Sequence, residues 1–345
     1  MGSMNKSEFL TQLSAYYQEK SDFLEPEINL ERVIDTGWES EIFIYTLTHG
    51  PQSARKSVKY ALRLLIGADF PSAEGEYKTL ARLHKAGYPV PQVFHLGKPG
   101  EVFERPFIIM QCIEGGQYAH RFPKTPQDDL SPLRGFVALF RQLHMVDWRP
   151  LVSNPNEIDP PGLPYHHFDR QLAIFSEYFS KADLTSLEPV IGWLRDQREK
   201  TACERASIIH YDFHPDNILE DRDGKLYVVD WTSADISDYR FDLAWTLTLS
   251  LAYGGELRRE MVMEEYERQM GEKIPALEVF EAAAIVRRIG LVMLSLRHGT
   301  DEMGMRPEAA DAMRRDKVPL GRLYARLKNI TGLALLEIQA FLDTL

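Results

Sequence analysis

The sequence predicts an α+β chain of two lobes, a small and mostly antiparallel sheet lobe followed by a larger helical one. Short apolar runs of strand character dominate residues 31–110, whereas beyond Gly116 the apolar residues recur at the helical period. A chain of 345 residues is long enough for two lobes, each with its own core. Strands first and helices after, without internal repeat or low-complexity segment, favour α+β over an alternating α/β order. We expect residues 1–30 to hold a cloning remnant and an opening helix. Residues 31–112 form the amino-terminal lobe and 113–345 the carboxy-terminal lobe, with the boundary near Cys112–Gly116.

The elements follow in order. Phe9, Leu10, Leu13, Tyr16 and Tyr17 stand at helical spacing within residues 5–24, which makes an amphipathic helix. Glu31–Asp35, Glu41–Leu47 and Lys59–Leu65 read as three strands, joined by the turn Thr36–Ser40 and the polar loop His49–Ser57. A helix over Ser72–Ala86 carries Tyr77, Leu80 and Leu83 on one face and ends at Gly87 and Pro89. Val93–Leu96 and Phe107–Met110 complete a five-stranded sheet. Helices then run through Phe136–Leu143, Gln171–Phe179, Met261–Met270, Val279–Leu296 and Leu320–Leu327, with an irregular proline-rich loop over Asn154–Pro164.

Composition narrows the function classes. The net charge of −11 argues against nucleic acid, whose phosphates demand clustered Lys and Arg. Cys112 and Cys203 are too few for a disulfide framework or a thiolate zinc site, which points to a reducing compartment and a cytoplasmic protein. Met1–Met4 reads as a cloning remnant rather than a targeting signal, and Lys6 occupies the position where myristoylation of Gly2 needs Ser or Thr. The apolar run Leu243–Tyr253 is too short to span a bilayer.

The chemistry concentrates in Ile208–Leu249. Asp212 lies two residues after His210 and five before Asn217, and Asp230 follows eighteen residues later. Asp223-Gly224 between apolar runs signals a hairpin that returns the chain after Asn217. This is the order in which kinases place a base and two metal ligands. Phosphoryl transfer asks for a hydroxyl held in line, a carboxylate to take its proton, and cations on the phosphates. Asp212 would serve as base, with Asn217 and Asp230 as Mg²⁺ ligands. A basic residue on the third strand and a carboxylate on the next helix should pair and hold the α/β-phosphates, and Arg63 and Glu76 occupy those places. Gly37 and Ser40 stand in the first hairpin turn, where a backbone N–H and a hydroxyl could meet phosphates.

These residues resemble the aminoglycoside phosphotransferase and choline kinase family of small-molecule kinases, which share the protein-kinase fold. The likeness runs through Ala61-Leu62-Arg63, Glu76–Leu80, Val90-Pro91, Pro106–Met110, His210–Leu219, Val229–Trp231 and Phe241–Ala244. It implies an ATP- or GTP-dependent, Mg²⁺-dependent transfer of the γ-phosphoryl group to a hydroxyl of a small molecule. It makes Asp212 the base and Asn217 and Asp230 the metal ligands, with adenine held by the backbone of Gln111 and Ile113. Asp242 would brace the catalytic loop, with His210 in a supporting role. Tyr211 departs from the family by standing where glycine is usual. Trp231 after the metal aspartate, and the absence of an activation segment between Asp230 and Asp242, favour the small-molecule branch over protein kinases.

The acceptor stays open at this level. An aminoglycoside, choline, another amino-alcohol, a sugar or a macrolide would each fit. Asp235 and Asp238, within an acidic stretch from Glu204 to Asp242, could receive a cationic acceptor or be solvated turn residues. His214 and Asp216 could touch substrate or stabilise the loop, and Tyr165–Phe168 could line a pocket or pack a helix start. Two rival readings compete: a catalytically silent pseudokinase that binds nucleotide, and an iron oxygenase using His210, Asp212 and a distant histidine such as His298.

Overall fold

The computed structural model describes residues 4–34, 40–66, 69–152, 154–159, 162–181, 183–299 and 308–345. Residues 1–3 of the stretch expected to be a cloning remnant, the turn at residues 36–39 with Gly37, and part of the proline-rich loop lie outside them. The chain divides into two compact units. One gathers the chain up to Gly116 together with Leu219–Thr232; the other gathers Gln117–Ile218, Ser233–Gly299 and Ala310–Leu345. The elements in order are α1 (Lys6–Gln18), β1 (Glu27–Ile34), β2 (Ser40–His49), β3 (Lys56–Leu65), α2 (Phe70–Lys85), β4 (Val93–Gly97), β5 (Phe107–Gln111) and β6 (Gly115–Gln117). Then come α3 (Ser131–Met145), α4 (His166–Lys181), α5 (Glu188–Asp196), β7 (Ala206–Ile209), β8 (Ile218–Asp221), β9 (Leu226–Val228) and β10 (Asp235–Asp238). The chain ends with α6 (Tyr239–Met270), α7 (Leu277–His298), α8 (Glu308–Arg314), α9 (Lys317–Thr331) and α10 (Leu336–Thr344).

In the first unit the five predicted strands form one antiparallel sheet in the order β1-β2-β3-β5-β4. β1 begins at Glu27, four residues before the predicted start, and a register shift between Leu30 and Arg32 breaks the alternation that the sequence reading relies on. β3 is central, and its side chains alternate between two covered faces. Leu62 and Leu64 join Phe9, Leu13 and Tyr17 of α1 in one cluster, where Phe9 stacks on Phe43 with centroids 4.0 Å apart. Leu65 joins Ala73 of α2 and Ile108 of β5 on the other face. Arg63 has the same parity as Leu65 and therefore points to the α2 face. Asp69 caps α2 by accepting from the Ser72 N–H at 2.8 Å.

The hairpin forms where Asp223-Gly224 predicts it. Asp221 accepts the backbone N–H groups of Asp223 and Lys225 at 3.0 and 2.9 Å, and Gly224 takes φ 82°. β9 then leads into Trp231, which is fully buried. Its indole N–H donates to the Val228 carbonyl at 3.1 Å, and its ring meets Tyr88 edge-on.

The second unit is helical, with one short antiparallel pair, β7 with β10. The strand β10, Asp235-Ile-Ser-Asp238, is too polar to be read as strand from sequence and exists through its pairing with β7. Residues 239–270 form a single helical segment interrupted at Gly255, whose φ of 78° is non-helical. Among the described residues, no helix is long and apolar enough to cross a membrane.

Candidate active site

The first unit assembles a three-residue ionic cluster. Arg63 Nη1 donates to Glu76 Oε1 at 2.9 Å, and Arg63 Nη2 donates to Asp230 Oδ1 at 2.8 Å. The strand sets the arginine between Ile42 and Ile108 of its neighbours, α2 presents Glu76, and the hairpin delivers Asp230. Arg63 and Glu76 are almost fully buried, whereas the Asp230 side chain stays 40% exposed. Buried ions persist only when paired and hydrogen-bonded, so this is a pre-set cluster rather than a surface pair. Asp230 takes φ 67°, a left-handed conformation that Asp tolerates better than most residues. Trp231 buried behind it and Thr232 Oγ1, which donates to Asp230 Oδ1 at 3.1 Å, hold it there.

Ser40 opens β2 opposite Leu65, close in register to Arg63, and is buried. Gln111 closes β5 and spends its N–H on the Gln92 carbonyl at 2.8 Å, which leaves that donor unable to serve an adenine as the sequence reading expects. Ile113 differs. It lies between β5 and β6, and neither its N–H nor its carbonyl makes a hydrogen bond among the described residues.

The second unit holds the candidate catalytic loop, which leaves β7 at His210. Asp242, in the first turn of α6, accepts three bonds in a fully buried position. Its Oδ1 takes the Tyr211 N–H at 2.8 Å, and its Oδ2 takes the His210 N–H at 2.8 Å and His144 Nε2 at 3.1 Å. His144 in turn accepts from the Tyr266 hydroxyl at 2.7 Å. His210 Nδ1 accepts the Asp212 N–H at 3.2 Å. These bonds hold Tyr211 at φ 63°, a strained conformation for a bulky residue. A tyrosine at this position thus takes a backbone conformation that glycine would adopt without strain. Phe213 faces inward and stacks on Phe140 of α3 with centroids 4.2 Å apart, so the flanking Asp212 and His214 face away from the core.

Asp212 is fixed from three sides. Trp245 Nε1 donates to its Oδ1 at 3.2 Å, Asn217 Nδ2 donates to its Oδ2 at 3.1 Å, and His214 Nε2 lies 3.4 Å from Oδ2. Burial works against its ionisation. The bond and charge of His214, the charge of His210 and the Trp245 bond outweigh burial and hold the carboxyl below the usual carboxylate range. Burial likewise disfavours a charged His214, but Asp212 and Asp216 raise it to about 9. His214 is thus an ion-pair partner of Asp212. Asn217 donates twice from Nδ2, to the Asp212 carboxylate and main-chain carbonyl, and its amide oxygen accepts nothing among the described residues.

The structure therefore brings Arg63, Glu76 and Asp230 together in one unit and His210, Asp212, Asn217 and Asp242 together in the other. It also places two carboxylates that the sequence left open between an amine and solvent: Asp235 is ion-paired to Arg170 at 2.7 Å, and Asp238 is buried against Arg240 at 2.6 Å. The iron reading fails on the same geometry. His210 is fully buried with Nδ1 committed to the Asp212 amide, the jelly-roll it needs is absent among the described residues, and the side chain of His298 lies outside them. Sequence reasoning missed His144, Trp245 and Thr246, whose hydroxyl donates to the Phe213 carbonyl at 2.9 Å. Trp245 and Thr246 had a usable signal, since they stand three and four residues after Asp242 on one helical face. His144 had none, because its partner is ninety-eight residues away.

The profile of the phosphotransferase enzyme family matches residues 32–279. The mouse protein acyl-CoA dehydrogenase family member 10 is 25% identical over 216 residues, which cover 57% of this chain but 19% of that protein. This chain thus matches about a fifth of that relative's length. Among solved structures, a Ralstonia eutropha protein assigned to the aminoglycoside phosphotransferases superposes with a TM-score of 0.64 at 17% identity, covering 92% of this chain and 98% of that one. Ethanolamine kinase of Plasmodium vivax gives 0.60 at 13% identity, covering 96% and 98%. Aminoglycoside phosphotransferase APH(4)-Ia bound to ADP and hygromycin B gives 0.59 at 17%, covering 92% and 97%. At these identities the likeness is one of fold, the α+β two-lobe protein-kinase-like fold expected from the sequence. With the family profile matching well over half its length, the chain belongs to the phosphotransferase enzyme family.

Proposed function

We propose that the chain is a small-molecule kinase that uses ATP or GTP with Mg²⁺ to phosphorylate a hydroxyl group. The observation that carries this reading is Asp212, a carboxylate kept ionised and aimed by Trp245, Asn217 and His214 on a loop that Asp242 braces. So acidic a carboxylate is a weak base. It orients the acceptor hydroxyl and takes its proton late, as the new bond forms. In that step the acceptor oxygen bonds to the γ-phosphorus while the bond to the bridging oxygen breaks. The proton passes to Asp212 and the bond's electron pair leaves with the nucleoside diphosphate.

Arg63, held by Glu76, would bind the α/β-phosphates. Its fixed charge and planar fork suit that task as well as the lysine of other kinases. Ser40 would meet the phosphates, and the backbone of Ile113, with the carbonyl of Gln111, would receive the base. The nucleotide complexes of structural relatives support such a co-substrate. The unbonded amide oxygen of Asn217 and the partly exposed carboxylate of Asp230 are hard oxygen donors of the kind Mg²⁺ prefers. An ion held by such donors would neutralise charge on the transferring phosphates. We assign residues 31–112 to nucleotide binding, joined by Asp230 from the returning hairpin, and residues 113–345 to the catalytic loop and acceptor site.

The test is an ADP-release screen across hydroxyl-bearing metabolites and antibiotics, with Asp212→Asn as control. We expect acceptor-dependent release that the variant loses while it still binds nucleotide. Nucleotide binding with no release from any acceptor would instead support the pseudokinase reading.

A further inference from the structure

Among the described residues, Arg287 is a cation without a counter-ion. It projects from α7 with its guanidinium over the ring of Tyr211 at 4.1 Å and over that of Trp245 at 4.3 Å. Both rings belong to the catalytic loop's immediate support, since Tyr211 precedes Asp212 and Trp245 donates to Asp212 Oδ1. Among the described residues the guanidinium makes no hydrogen bond and no ion pair, and its Nη1 is enclosed without an acceptor. The Tyr211 hydroxyl is enclosed in the same condition. Two orphaned donors side by side are unusual, because buried polar groups are normally satisfied.

The surroundings sharpen the anomaly. Arg170 is spent on Asp235, Arg240 on Asp238, and Arg288 on Asp316 at 2.9 Å. The carboxylates that face Arg287 are Asp212 and Asp242. Asp212 is paired with His214, and Asp242 is filled by its three donors. Stacking on two aromatic faces uses the flat side of the guanidinium and leaves its N–H edges, the part that grips a planar anion. An ammonium group brought to the same place would be repelled.

We propose that Arg287, with the Tyr211 hydroxyl, anchors an anionic group of the acceptor, a carboxylate or a phosphate. The acceptor is then an alcohol carrying such a group rather than an amino-alcohol or an aminoglycoside. This rests on the kinase reading above and adds to it the charge class of the substrate.

The experiment uses matched sets of hydroxyl compounds of equal chain length: a hydroxy acid, a phosphorylated diol, the uncharged hydroxy amide and the amino-alcohol. ADP release is measured for wild type, Arg287→Gln and Arg287→Lys. We expect an anionic member to show the lowest acceptor KM, and the carboxylate and phosphate arms to tell which anion is bound. Arg287→Gln should raise that KM by about tenfold or more while the nucleotide KM holds. Arg287→Lys, which keeps the charge and loses the fork, should fall between. Preference for the amide or the amine overturns the inference and leaves the kinase reading standing. So does an Arg287→Gln variant that lowers kcat for every member alike at unchanged acceptor KM, since the arginine would then only pin the loop. Absence of ADP release from all members with wild type overturns the kinase reading itself. Should Arg287→Gln not fold, inhibition of wild type by acetate and inorganic phosphate decides. Competition against the acceptor but not the nucleotide is expected, and its absence overturns the inference.

Discussion

Replacing Asp242 tests whether the catalytic loop is held from α6 or holds itself. The carboxylate is fully buried and accepts the main-chain N–H groups of His210 and Tyr211 and the imidazole of His144. Asp242→Ala strands two buried main-chain donors, each worth about 1–3 kcal/mol. It also removes the bonds that keep Tyr211 at φ 63°, a conformation that costs a bulky residue about 1–2 kcal/mol. The expected loss is about 3–5 kcal/mol. Asp242→Asn keeps the shape but not the pattern. Whichever way the amide is turned, its NH₂ faces a main-chain N–H, so a loss of about 2–4 kcal/mol is expected. Thermal unfolding of the second unit should drop on the order of 10 °C for the alanine variant, and phosphoryl transfer should fall in both variants below what unfolding accounts for. Losses under about 1 kcal/mol in both variants, within the range of an ordinary surface change, would refute the brace.

Other outcomes follow from the same geometry. Arg63→Lys keeps a charge but cannot bridge Glu76 and Asp230 together, and should raise the nucleotide KM about tenfold; Arg63→Met takes its arginine from the buried Glu76 carboxylate, and should cost about 3–5 kcal/mol in denaturant titration. The folded His214 value of about 9 lies above its ordinary 6.5, so its ion pair stabilises fully below pH 6.5 and is lost as pH rises through 9. With the pair partly exposed, wild type should lose about 1–2 kcal/mol over that window and His214→Gln should not. The same variant should move the acid limb of the rate profile upward, because Asp212 loses the charge that holds its carboxyl low. Gly115→Ala would place a Cβ 1.7 Å from the Glu220 carbonyl oxygen and should cost about 1–3 kcal/mol or more, read as a lower midpoint in thermal unfolding.

The strands and the two principal helices of the first unit are readable because their apolar spacing is local and regular. Their limits are not. β1 starts early behind a register shift that the alternation cannot signal, and β10 is a polar tetrapeptide made a strand by β7. The candidate site divides the same way. His210, Asp212, Asn217 and Asp230 declare themselves by spacing within twenty-one residues, whereas His144 and Arg287 come from helices far along the chain with nothing in their own neighbourhoods to mark them.

By itself the sequence determined the order of the lobes and the hairpin at Asp223-Gly224, and it named the residues of the proposed phosphoryl-transfer site, because each depends on contacts between near neighbours. Only the tertiary structure decided which charges are spent. Asp235 and Asp238, open in sequence to an amine or to solvent, lie against Arg170 and Arg240, and Arg287 stacks on Tyr211 and Trp245 with no counter-ion among the described residues. Ion pairing is a matter of a few ångströms between residues dozens of positions apart, so charge composition cannot reveal it, and the proposed charge class of the acceptor could be argued only once the chain has folded.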